Sequence, residues 1–174
     1  MSKVFFISDL HLGHKKILEF EGKNRGDGRL TSVDEHDQWV VDQWNSVVTK
    51  RDLTWVLGDV CFDKTKLPLF KKMNGAKHLI LGNHDEFPIA DYLQYFNKIH
   101  GFMKYKGVWL SHAPIHTDEL RGKFNIHGHV HSKLPASSWH IPVCVEHCGG
   151  KPKSWEELQW HMKHIQEACG QPGV

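Results

Sequence analysis

The sequence predicts one α/β domain, and three observations carry that prediction. Six short apolar runs of strand length alternate with segments of helical periodicity. The chain has 174 residues, 40% hydrophobic and 24% charged, which suits a globular domain with a core of its own. No apolar run approaches membrane-spanning length, and "MSKVFFIS" enters a strand too early to be a signal peptide. A single domain over residues 1–174 is the expected organisation.

The elements follow in order. "VFFIS" (4–8) is the first strand, and the polar, glycine-rich "EFEGKNRGDGRL" reads as a loop. "TSVDEHDQWVVDQWNSVV" opens with Thr31-x-x-Asp34 and Ser32-x-x-Glu35, both of capping-box form, and carries Val40, Trp44, Val47 and Val48 as an apolar stripe. "LTWVL" (53–57) and "HLIL" (78–81) are strands. "KIHGFMKY" and "VWLS" (108–111) flank Lys106-Gly107 as a hairpin. "FNIH" (124–127) and "IPVCVE" (141–146) are the last strands, before a helix boxed by Ser154 and Glu157 that buries Trp155, Leu158, Met162 and Ile165. Both stripes read as core.

A net charge of +2 and a pI near 8.3 give no sign of a protein built around a basic face, yet they leave nucleic acid open as a partner. The four cysteines form no secreted disulfide pattern. Cys144 and Cys148, with His147 between them, have a spacing a small zinc site uses, but "IPVCVE" reads more readily as a strand with buried thiols. Reduced thiols and a cytoplasmic location are expected. Histidine is the outlier, at 15 residues.

Five strands end alike. "VFFIS" runs into Asp9-Leu10-His11, "LTWVL" into Gly58-Asp59, and "HLIL" into Gly82-Asn83-His84-Asp85. "VWLS" runs into His112, and "FNIH" into Gly128-His129-Val130-His131. Ligands of α/β sheets gather outside the carboxyl ends of strands. Any one ending is an ordinary turn. Five together, all bearing metal-ligating side chains, point to a metal site. Within "HGHVH" (127–131), the three histidines alternate, so an extended chain would present them on one side.

With these blocks the chain resembles the calcineurin-like metallophosphoesterases, whose signature runs D-x-H, G-D, G-N-H-[DE], an isolated H, then G-H-x-H. Here the blocks are "DLH", "GD", "GNHD", "SH" and "GHVH", spanning residues 9 to 131. The resemblance implies a four-layer αββα sandwich of two mixed sheets flanked by helices, with two divalent metals at the strand ends. It implies that Asp9, His11 and His131 bind one metal, that Asn83, His112 and His129 bind the other, and that Asp59 bridges them. His127 has no role in the pattern and reads as a strand or supporting residue.

Two such ions polarise a phosphate ester and turn a bridging water into hydroxide. Mixed oxygen and imidazole ligands suit manganese, iron, zinc or nickel, and the resemblance favours manganese. His84 matches the family's catalytic histidine, and its reference pKa of about 6.5 suits proton donation to a leaving oxygen. Asp85 either orients that ring or caps a helix. His14, Lys15, Arg25 and Arg29 follow the first motif and either contact substrate or lie on a solvated loop, with His14 foremost. The GNHD form, which resembles that of the family's nucleases and diesterases rather than its protein phosphatases, and the compact chain favour phosphodiesters, of nucleotide or nucleic-acid origin, over phosphomonoesters such as phosphoproteins. A non-catalytic scaffold of the same fold is disfavoured by the complete ligand set and by His84. The sequence is silent on oligomeric state.

Overall fold

The structure is a computed structural model that describes residues 1–169. The described chain has nine strands and four α-helices, with the first three helices among the first four strands and the last helix after all nine. Strands β1 (Val4–Ile7), β2 (Leu53–Val56), β3 (Ala76–Ile80) and β4 (Lys98–His100) are mutually parallel neighbours. Strand β9 (Lys153–Ser154) pairs antiparallel with β1 and completes a five-stranded sheet in the order β4-β3-β2-β1-β9. The second sheet has the order β5-β6-β7-β8, from β5 (Met103–Tyr105), β6 (Val108–Leu110), β7 (Asn125–His127) and β8 (His140–Pro142). There β5 and β6 form an antiparallel hairpin, while β6, β7 and β8 are parallel. Helices α1 (Ile17–Glu21), α2 (Val33–Val47), α3 (Ile89–Tyr92) and α4 (Trp155–Ala168) flank the two mixed sheets.

Strand alternation builds two cores. Phe5, Ile7, Val56 and Leu79 cluster with Val40 and Trp44 of α2. From the same strands, Phe6, Trp55 and Ile80 face the other way, onto Leu110 and Ile126 of the second sheet. Phe6 has no exposed surface, and burying a side chain of that kind contributes about 3 kcal/mol. Both helix stripes are used as expected. Ser32 caps α2 by accepting the Glu35 N–H at 3.2 Å, and Glu35 in turn accepts from Thr31. Ser154 and Glu157 close a reciprocal box at the start of α4.

Three local expectations are corrected. The run 98–105 is not one strand. It breaks at Gly101-Phe102, so that β4 joins the first sheet and β5 the second. "IPVCVE" keeps strand pairing only to Pro142, after which Cys144 makes an isolated bridge to Ser8. The segment expected as loop from Glu19 instead starts inside the short helix α1, whose first residue, Ile17, is buried. Cys144 and Cys148 are buried free thiols, and burial pushes Cys148 up to about 12, an environment for inert cysteines.

The bridges that look irregular join the layers where it matters. Ser8 donates its N–H to the Val143 carbonyl and accepts from the Val145 N–H, so the end of β1 is stitched to the second sheet. A second bridge, Leu12 to Cys61, ties the loop after β1 to the loop after β2.

Candidate metal centre

Parallel pairing within each sheet brings the loops after β1, β2, β3, β6 and β7 to one side, where the backbone turns sharply. Asp9, His11, Asp59, His129 and His131 have φ of 58°, 53°, 53°, 72° and 50°. Only eight non-glycine residues adopt positive φ among those described, and these are five of them. Such a conformation costs on the order of 1–3 kcal/mol for a residue with a Cβ, though Asp and His tolerate it better than most. The histidines of "HGHVH" therefore do not converge by alternation. His127 lies in β7, buried, with Nδ1 donating to the Gly128 carbonyl at 2.7 Å, and burial lowers its pKa to about 4. His129 and His131 turn toward the cluster after the chain has left the strand.

The side chains form two adjoining groups. In the first, His11 Nε2 lies 3.7 Å from Asp9 Oδ1, and His131 Nε2 lies 3.9 Å from the same oxygen. In the second, Asn83 Oδ1 is 2.9 Å from both His112 Nε2 and His129 Nδ1, which are 3.2 Å apart. Asp59 Oδ2 stands between them, 3.7 Å from His11 Nε2 and 3.4 Å from His112 Nε2. Asp9, Asp59 and His112 present ligand atoms within 4.8 Å of one another, as do Asp9, His11 and His131.

This arrangement fits divalent cations. His112 Nδ1 faces the Leu57 carbonyl at 2.8 Å, and a carbonyl only accepts, so Nδ1 carries the hydrogen. The other nitrogen, Nε2, is then turned toward a carboxylate and an amide oxygen. His11 is buried, and neither of its ring nitrogens has a hydrogen-bond partner. Lone pairs gathered this closely need a positive charge among them.

Several groups hold these side chains in place. Gly128 packs so closely that a Cβ there would lie 2.6 Å from Asp9 Oδ2. A Cβ on Gly82 would collide with the Asp59 carboxylate. Asp85 neither orients the His84 ring nor caps a helix. Its carboxylate accepts the N–H groups of Gly82, Asp59 and Val60 at 2.8–2.9 Å, clamping the loop after β2 to the loop after β3. Asp59 Oδ1 accepts the His84 N–H at 2.9 Å.

Arg25 is not placed to meet substrate. It is fully buried, and all five of its N–H donors are engaged. They go to the carbonyls of Asp9 and Leu10, to His36 Nε2, and twice to Glu146 Oε1. Glu146 in turn accepts from His131 Nδ1 at 3.2 Å, leaving His131 Nε2 facing Asp9. A carboxylate behind a ligating imidazole fixes its tautomer and direction. Glu146 went unnoticed in the sequence because no motif has a slot for it, although it too follows a strand and β-bridge on the same side.

His84 is exposed at the mouth, its ring 4.8 Å from that of Phe62. Phe62 also stacks on His11 at 4.9 Å and meets His14 edge-on at 4.3 Å. His14 is thus beside the cluster. Arg29 and Lys15 are exposed, and neither side chain makes a hydrogen bond or ion pair among the described residues.

Burial alone would raise the Asp9 carboxyl, but His11, His112 and Ser8 outweigh it and hold Asp9 well below the usual carboxylate range. For His112, burial is likewise overcome by the Asp59 hydrogen bond and the charges of Asp9 and Asp59, which push it up to about 9. Glu146 similarly raises His131 against its burial.

The model of the calcineurin-like phosphoesterase family matches residues 2–165. The chain belongs to this family. The Gene 66 protein of Mycobacterium phage L5 is 34% identical, over 98% of this chain and 99% of its own length. That of Mycobacterium phage D29 is 30% identical, over 91% and 92%. A protein of unknown function from Aquifex aeolicus has the same fold, with a TM-score of 0.73 and 24% identity, over 92% of this chain and 99% of its own. For a calcineurin-like phosphoesterase, clustered His and Asp ligands at the strand ends mean a hydrolase of phosphate esters that depends on metal.

Metal loading should displace protons. With no metal present, His112 holds a proton up to about pH 9, and a metal takes Nε2 only without it. Affinity should therefore rise with pH up to about 9 and level off above. Calorimetric titration of the metal-free protein with Mn²⁺ at neutral pH, in buffers of different ionisation heat, should show release of on the order of one proton or more. Heats independent of the buffer would contradict this reading of His112.

Proposed function

We propose that the protein is a binuclear metallophosphoesterase that prefers phosphodiesters of nucleotide or nucleic-acid origin. The observation that carries the reading is the position of Asp59 Oδ2 between two groups of converging ligand atoms. Asp9, His11 and His131 would hold one cation, Asn83, His112 and His129 the other, and Asp59 both. When bound, the pair supplies charge for the phosphoryl oxygens and a hydroxide nucleophile at neutral pH. Manganese is the favoured metal, and iron, zinc or nickel suit the same donors.

The chain's own part is positioning and proton supply. The backbone N–H of His84 is tied to Asp59 Oδ1, so its ring is anchored beside the metal ligands while it stays open to solvent. From there it would donate a proton to the departing ester oxygen. Phe62 backs this ring, and His14 and the 68% exposed Phe20 extend the aromatic surface outward, with ring centroids 6.1 Å apart. That surface suits the organic substituent of an ester. Free, largely buried cysteines fit a reducing compartment such as the cytoplasm. No helix among the described residues is long and apolar enough to cross a membrane.

Two measurements test this. With Mn²⁺, bis(p-nitrophenyl) phosphate should be hydrolysed with higher kcat/KM than p-nitrophenyl phosphate. A clear monoester preference by that measure, at matched pH, would make the protein a phosphatase. His84→Ala should keep its metal and lose kcat by about 10²–10⁴-fold on esters with poor leaving groups. The loss should shrink for nitrophenolate, which leaves without a proton. An equal loss for both would assign His84 to binding rather than proton transfer.

A further inference from the structure

A second polar surface lies at the other end of the molecule. The candidate ligands follow the carboxyl ends of β6 and β7, whereas this groove, of about 860 Å³, opens where those strands begin. Its cations are Lys104, Lys106, Arg121, Lys123 and Lys163, and no Asp or Glu lines it among the described residues. On a chain with a net charge of only +2, this is a local concentration of positive charge. Val108, Phe124, Trp155 and Met162 form its apolar floor, and Gln159 and Gln166 of α4 supply amides to one wall.

The backbone supplies an independent sign. Apart from the five residues of the metal centre and Asp27, the only non-glycine residues with positive φ among those described are Lys106 (44°) and Arg121 (50°). Each is the first central residue of a two-residue turn that ends in glycine, Gly107 and Gly122, also at positive φ. The first turn closes the β5–β6 hairpin, and the second is closed by the Lys123 N–H on the Leu120 carbonyl at 3.0 Å. Asn or Asp is the favoured residue at such a position. Here both carry a long cation, and both cations line the same groove. At both turns a long cation occupies a backbone conformation that disfavours a side chain of its kind.

Existing partners leave that charge available. Lys106 Nζ lies 5.5 Å above the Trp155 ring, and among the described residues Lys123 Nζ reaches only the Arg121 carbonyl, at 3.4 Å. Arg121 pairs with Glu119 and Lys163 with Glu167, both on exposed, solvent-screened surface.

We propose that this groove binds the phosphodiester backbone of a single-stranded nucleic acid, as an anchoring site separate from the metal centre. Spaced cations with amide donors alongside match a strand that offers phosphates at regular intervals, with sugar hydroxyls and base edges between them. If an acidic peptide were the occupant, polyglutamate would displace the strand as well as another oligonucleotide does.

The test is fluorescence anisotropy of a labelled oligothymidylate of about twelve nucleotides with phosphorothioate linkages, which keep the backbone charge and resist cleavage, on the Mn²⁺-loaded protein. The double variant Lys106→Asn, Arg121→Asn removes two charges while installing the residue each turn prefers. Wild type should bind at low salt. The variant should bind roughly tenfold more weakly, with a salt slope shallower by about 1.4. Its thermal midpoint should hold or rise, and its turnover of bis(p-nitrophenyl) phosphate should not change. Absence of wild-type binding, unchanged binding by the variant, or equal displacement by polyglutamate would overturn the proposal. A parallel loss of turnover would also overturn it, since the two sites would then not be separate.

Discussion

The convergence of Asp9 and Asp59 with the imidazoles of His11, His112, His129 and His131 constrains everything around it. Two buried carboxylates and several ring lone pairs within a few ångströms repel one another unless positive charge lies among them. In the metal-free chain the charge is a proton on His112. In the working protein it would be the cations themselves. The fold is built to hold these groups together against that repulsion.

That holding explains features that otherwise look unfavourable. Five candidate ligand residues take a left-handed backbone, and glycines at 82 and 128 sit where no Cβ fits. Asp85 spends its carboxylate on three N–H groups to clamp two loops, and Arg25 spends all its donors on the backbone of Asp9 and Leu10, on His36 and on Glu146. Buried ionic groups of this kind add little net stability. Their effect here is geometric, since Glu146 orients His131 and Arg25 holds the turn at Asp9. Strand pairing does the rest, as the Ser8 and Leu12 bridges carry the two sheets and three loops into register at the site.

Much of this was legible in the sequence, and what was missed has physical reasons. The strands and the two long helices follow from period and caps, which are local signals. The candidate ligand residues stand out because they follow the ends of apolar runs. The break at Gly101 was hidden because "KIHGFMKY" has strand composition throughout, and only tertiary pairing divides it between sheets. Arg25 looked like a surface cation because its polar, glycine-rich neighbours imply solvent, whereas its partner Glu146 is 121 residues away. Asp85 was misread because its partners are backbone N–H groups, which have no signature in sequence. The supporting groups behind a metal centre are set by long-range contacts, whereas its ligands are marked by short motifs.

The central claim is that Asp59 belongs to two cation sites at once, and metal stoichiometry tests it most directly. Protein loaded with Mn²⁺ and freed of excess metal should contain two ions per chain. Asp59→Asn keeps the shape of the side chain but removes its charge, and it should hold one ion or none while remaining folded. One ion in the wild type, or two retained tightly by the variant, would contradict the account.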